Sequence, residues 1–194
     1  MGILKRAGDL VYTFRFLRLL TTAFEDTQAH KLGLIDAKGK RIKSQRIDSP
    51  EERDAYTPFH RLVFNIKRLM QKAGAGSKIA SYASALYLMK EKFSISNKQI
   101  QEAMEQHGID VLDFLSEGTE WFLLEDKQLS PGVYRLTNDK VLNSTCEEIV
   151  YSSDKIKVSE DCFPKGDIFG MDVYEVTHMR TKQPIYVTVG ELAK

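Results

Sequence analysis

The sequence predicts an α+β fold, a basic helical N-terminal region followed by a small antiparallel β-sheet or partly open barrel. Three observations carry this reading. Apolar residues recur at three- and four-residue spacing through the first hundred residues. Beyond residue 127 the pattern changes to short β-branched and aromatic runs separated by Gly, Pro, Asn and Asp. Charge divides the same way: residues 1–100 hold 19 Lys and Arg against 9 Asp and Glu, a net +10, while residues 101–194 hold 9 against 18, a net −9. The expected organisation is a helical region over 1–126, basic through 97 and acidic over 98–126, and a β module over 127–194.

A chain of 194 residues with 42% hydrophobic and 28% charged side chains belongs to the folded globular class. It is long enough to bury a core without disulfides or metal. Its two cysteines, Cys146 and Cys162, are too few for a disulfide framework and too far apart for a zinc knuckle, so a reducing setting is expected. No apolar run approaches the ~18 residues that span a bilayer. The basic start "MGILKRAGDLVYTF" lacks the small-residue cleavage site of a secretory signal.

The first helix is expected over 3–24, where Ile3, Ala7, Leu10, Val11, Phe14, Leu17 and Phe24 form the apolar positions. A second runs from about Ala55 to Lys72, with Ser49 and Pro50 at a possible earlier start and Pro58 breaking or restarting it. Its stripe of Phe59, Leu62, Val63, Ile66, Leu69 and Met70 reads as core, leaving Arg61, Lys67, Arg68 and Lys72 in water. "AGAGSK" at 73–78 lacks the glycine spacing and following hydroxyl of a phosphate loop, so Gly74 reads as a helix stop and Ser77 as a cap. A helix over 77–92 uses small Ala80, Ser81, Ala83, Ser84 and Ala85 for close approach. Ser96 caps the next helix, Gly108 ends it, and Asp110 starts a short one through Leu115. That helix–turn–helix pattern carries Glu102, Glu105, Asp110, Asp113, Glu117 and Glu120, which phosphates would repel, so it is not a DNA reader. Five or six strands follow over about 129–190, with a hairpin turn at Arg180–Gln183.

The densest positive stretch is "DAKGKRIKSQRID", with Lys38, Lys40, Arg41, Lys43 and Arg46. It contains Gly39 and no helical stripe, and reads as an exposed loop or arm able to neutralise phosphates. No aromatic residue is interleaved to stack on bases, so sequence-specific reading is not expected. These five residues are the candidate nucleic-acid-binding set.

Catalytic chemistry is not expected. His30, His60, His107 and His178 have no metal-ligand spacing, and none of the GxSxG, HExxH or GxGxxG patterns occurs. Neighbouring carboxylates such as Glu147 and Glu148 point to opposite faces of a strand and make no dyad. Cys146 beside them would have its thiol pKa raised. No cofactor, metal or small-molecule substrate is expected.

The segments "KRAGDLVYTFRFLRLLTTAFEDTQAHKLGLIDAKGK", "YTPFHRLVFNIKRL", "LSPGVYRL" and "DVYEV…IYVTVGELAK" resemble small virion or head-assembly proteins of T4-like tailed bacteriophages. The resemblance implies a non-enzymatic structural or assembly role, in the virion or the host cytoplasm. Its partners would be other virion proteins or further copies of the chain, with the basic arm meeting packaged DNA or an acidic partner. The alternative is a sequence-nonspecific nucleic-acid-binding accessory protein. No functional residue follows from the resemblance itself.

Overall fold

The computed structural model describes residues 2–73, 82–106, 108, 123–147 and 149–194. The expected stop at Gly74, the cap at Ser77, the helix from Asp110 to Leu115 and His107 lie outside these residues. Six helices and eight strands are described: α1 (Gly2–Thr21), α2 (Gln28–Lys31), α3 (Pro50–Ala55), α4 (Pro58–Ala73), α5 (Ala83–Phe93), α6 (Asn97–Gln106), β1 (Gly132–Leu136), β2 (Lys140–Val141), β3 (Ile149–Val150), β4 (Lys155–Val158), β5 (Gly166–Ile168), β6 (Met171–His178), β7 (Pro184–Thr188) and β8 (Leu192–Ala193). The α+β class and the basic helical N-terminal region are as expected. None of the described helices is long and apolar enough to cross a membrane.

Local chemistry sets the helix boundaries. Ser49 accepts from the Glu52 amide at 3.1 Å while the Glu52 carboxylate accepts from the Ser49 amide at 2.9 Å, a reciprocal cap that starts α3 at Pro50. Pro58 restarts the chain as α4 rather than kinking one long helix, because proline's missing N–H is harmless in a first turn. The Thr57 hydroxyl accepts from the His60 amide at 3.4 Å and lies 2.8 Å from His60 Nδ1. Ser96 Oγ accepts from the Gln99 amide at 3.3 Å, and Gly108, with φ of 78°, follows the end of α6 in the left-handed region.

Phe59, Leu62, Val63, Ile66 and Leu69 of α4 are buried together with Phe16 and Leu20 of α1. Tyr12, Phe59 and Phe93 join α1, α4 and α5 in a ring triangle with centroids 5.0 to 5.5 Å apart. The small residues Ala83, Ser84 and Ala85 are buried, as close packing of α5 requires. Tyr87 of α5 packs edge-on against Tyr186 of β7, with centroids 5.0 Å apart. Gly166 of β5 lets the sheet approach that helix: a Cβ there would stand 2.7 Å from the Tyr87 hydroxyl.

Two expectations for side chains are corrected. Lys67 is not in water; it is buried, with its ammonium 4.7 Å above the Phe24 ring and donating to the Thr22 carbonyl. Its aliphatic stem packs inside and its head finds a carbonyl and a ring face, which the helical wheel does not show. Burial lowers its pKa from the usual 10.5. Val11, placed on the apolar stripe, is 50% exposed.

The main sheet is wholly antiparallel. β4 and β5 share one edge of β6 and β7 takes the other, while β1 lies between β4 and β8. The path β7–β6–β4–β1–β8 therefore ends on two strands that are only three residues apart in the chain, Val189–Glu191. A flat sheet cannot meet that constraint, so it curls into a half-barrel. Tyr134, Leu136, Ile156, Val158, Tyr174, Val176, Ile185, Val187 and Leu192 fill its inside. The run "EEIVYS" foretells β3, but β2, its pairing with β3 in a separate ribbon and the two-residue β8 were not foreseen in the sequence.

Glu191, fully buried, closes the seam. One carboxylate oxygen accepts from the Thr188 amide at 2.7 Å; the other accepts from Ser84 Oγ of α5 at 3.3 Å and from the ammonium of Lys140 on β2, itself 2% exposed. One side chain thus ties β7, α5 and β2 together.

Candidate nucleic-acid interface

The stretch from Leu34 to Arg46 is a built loop. Leu34 and Ile35 are buried with Phe24, Ala29, Ala55, Tyr56 and Phe64, which anchors its first arm. Ile35 and Arg41 form an isolated antiparallel bridge, and the Ile42 amide donates to the Leu34 carbonyl at 2.9 Å. Asp36 organises the tip: its carboxylate accepts from the Lys38 amide at 2.9 Å and the Lys40 amide at 2.8 Å. Gly39 is needed at its position for two reasons. Its φ is 72°, and a Cβ there would stand 2.3 Å from the Phe24 ring.

This scaffold leaves Lys38, Lys40, Lys43 and Arg46 exposed, as the sequence predicts. Arg41 departs from that expectation. Its guanidinium donates to the carbonyls of Leu34 at 3.0 Å, Ile42 at 2.5 Å and Gln45, and its Cζ lies 5.4 Å from the centroid of the Tyr56 ring. A planar group with five donors is suited to gathering several carbonyls at once. Arg41 is therefore the knot of the loop, and four cations rather than five face solvent.

The base of the loop is fixed by neighbours. Arg61 also lies 5.4 Å from the Tyr56 centroid, and Glu147 is 3.7 Å from Arg61 and 3.5 Å from the Tyr56 hydroxyl. Burial and then the Glu147 charge push the Tyr56 phenol well above its usual range. Amides of Ser49 and Asp48 hold the Glu52 carboxyl below its usual 4.5, so it stays anionic at the foot of the loop.

Other polar clusters serve the fold. Cys146 and Cys162 are buried free thiols. Both are pushed above the usual 9.0, as expected for Cys146, but by burial rather than by the neighbouring acids. His178 has no exposed surface; its Nδ1 lies 2.8 Å from the Thr181 hydroxyl and its Nε2 3.1 Å from Asp154. Asp154 also accepts from Arg180 at 2.9 Å and the Tyr151 amide at 3.1 Å. This cluster pins the hairpin turn after β6 to the turn before β4. Among the described residues, no group of three or more His, Cys, Asp or Glu is placed to hold a metal ion.

Asp154 gives a pH prediction. Partial burial pushes its carboxyl up, but hydrogen bonds from Arg180, the Tyr151 amide and His178 outweigh this and hold it below the usual 3.8. A carboxyl depressed by folding stabilises above its unfolded pKa, and that stabilisation is lost as pH falls through the folded value. Asp154→Asn should therefore be less stable than wild type at about pH 6, and the gap should close as denaturation midpoints are followed below about pH 4. A gap that stays constant across that range would contradict the assignment.

The site thus consists of a scaffolded loop with four outward cations. No protein-family model, curated protein or solved structure matches this chain.

Proposed function

We propose that this protein is a non-enzymatic structural or assembly component of a tailed-phage virion, docking on other virion proteins or its own copies and contacting packaged DNA through the 36–46 loop. The observation that carries the DNA contact is the division of labour within the loop. Asp36, Gly39 and Arg41 fix the backbone, and Lys38, Lys40, Lys43 and Arg46 stand in solvent around it. Because the backbone is already fixed, binding a phosphate backbone orders only the four side chains and not the loop itself. Contacts of this kind are blind to sequence, which suits packaged DNA. The opposite net charges of the two halves support head-to-tail association of copies.

The test combines duplex-DNA titration with light scattering on the same samples. Wild type should form a defined oligomer and bind duplex DNA. Binding carried by four contacts should weaken roughly 100-fold between about 50 and 200 mM salt. Lys38→Glu/Lys40→Glu/Lys43→Glu/Arg46→Glu should lose binding to duplex DNA. Binding by a monomer would favour the nucleic-acid accessory reading over assembly. No binding at low salt would overturn the role of the loop.

A further inference from the structure

From the β module we infer a second nucleic-acid surface, independent of the loop: the outer face of β1 and β4, suited to a single strand. Strand alternation sends Tyr134, Leu136, Ile156 and Val158 into the half-barrel and leaves Val133, Arg135, Lys155 and Lys157 exposed on the other side. The register sets Arg135 opposite Lys155 and Val133 opposite Lys157. Lys155 and Lys157 are two residues apart on one strand, about 7 Å. Arg135 lies across from Lys155 at about 5 Å between Cβ atoms. The three cations form a compact triangle on one face, close enough together to neutralise neighbouring phosphates of one strand.

Two apolar groups flank them. Val133 is 52% exposed, and Tyr151, in the turn leading into β4, is 59% exposed. Arg135 donates to the Ser153 carbonyl of that same turn at 3.2 Å, so the turn that carries Tyr151 adjoins this end of the face. An exposed ring beside a basic track is what a sequence-tolerant single-strand site uses to stack a base. At the other end the face runs into a groove lined by Pro131, Gly132, Val133, Lys157, Ser159 and Glu160.

Simpler explanations of these cations fail. Lysines often guard exposed sheet edges, but β1 and β4 are interior strands, with β8 and β6 on their outer sides. Among the described residues no carboxylate lies within 4 Å of Arg135, Lys155 or Lys157, whereas the nearby Asp154 and Glu175 are paired with Arg180 and Lys165. Like charges placed directly opposite on an antiparallel pair are destabilising. The face therefore carries a stability cost that a bound polyanion would offset.

That cost makes the test two-sided. Binding of a fluorescein-labelled oligo-dT is measured at low salt beside thermal melting. Lys155→Glu should melt higher than wild type, because it turns a repulsive pair into an attractive one, and should bind less tightly. Lys155→Glu/Lys157→Glu should lose at least tenfold in affinity. Tyr151→Ala should lose roughly 5- to 150-fold, the range of one stacked base, with an unchanged salt slope. The loop variant Lys38→Glu/Lys40→Glu/Lys43→Glu/Arg46→Glu should retain oligo-dT binding, which separates this face from the proposed duplex contact. Unchanged affinity in the double variant would overturn the inference, as would a lower melting temperature for Lys155→Glu. Displacement of the oligonucleotide by polyglutamate at equal charge would instead assign the face to an acidic protein.

Discussion

Glu191→Ala is expected to destabilise the protein by about 3–5 kcal/mol, the range found when one partner of a buried ion pair is removed. The carboxylate has no exposed surface and accepts from Lys140, Ser84 and the Thr188 amide. Its loss strands an ammonium that is 2% exposed, and leaves a hydroxyl and an amide without their acceptor. Burial already drives the Lys140 pKa below its usual 10.5, against the pull of Glu191. Without that carboxylate the ammonium must lose its proton or open the seam to water. A domain with the usual 5–15 kcal/mol of stability would be left marginal. Lys140→Met/Glu191→Leu should recover most of the loss, since replacing a buried pair with apolar groups is often neutral. Urea denaturation of the three proteins checks this, and a loss below about 1 kcal/mol for Glu191→Ala would show that the seam does not depend on the pair.

Gly39→Ala is expected to have the second largest effect. The left-handed backbone costs a non-glycine residue about 1–2 kcal/mol. The added methyl meets a ring that cannot step aside. Phe24 is 5% exposed, packs edge-on against Phe64 at 5.9 Å and lies beneath Lys67. Overpacking of this kind costs about 1–3 kcal/mol more. Gly33→Ala is the control, with φ of 69° and nothing within 4 Å of the built Cβ. It should show the backbone cost alone. If the loop acts as proposed, Gly39→Ala should also weaken duplex binding although no charge has changed, and Gly33→Ala should not. Equal melting temperatures for the two variants would contradict the clash.

What the sequence made legible were features decided within a few residues. The Ser49 cap, the restart at Pro58, the Ser96 cap, the Gly108 stop and the strand runs from Gly132 onward depend on neighbours in the chain, and each was readable. The exposed cations of the loop were readable for the same reason. Features decided by distant partners were not. Lys67 reaches a carbonyl 45 residues away, Lys140 reaches Glu191 across 51 residues, and β8 has meaning only against β1. A basic residue in sequence carries no sign of whether it will find carbonyls or water. Arg41 shows this most clearly, being one of five similar cations and the one folded inward. The outer face of β4 was hidden for another reason. The alternation in "KIKVS" announces a half-buried strand, but only the register reveals that Lys155 opposes Arg135.

The central claim is that the loop meets duplex DNA through Lys38, Lys40, Lys43 and Arg46 on a backbone fixed by Arg41. Its most direct test is the slope of log binding constant against log salt for wild type and for Lys38→Gln/Lys40→Gln/Lys43→Gln/Arg46→Gln. Each phosphate contact contributes about 0.9 to that slope, so the variant should be shallower by roughly 3.6. A variant that binds duplex DNA with the wild-type slope would contradict the claim and leave the loop without contact to DNA.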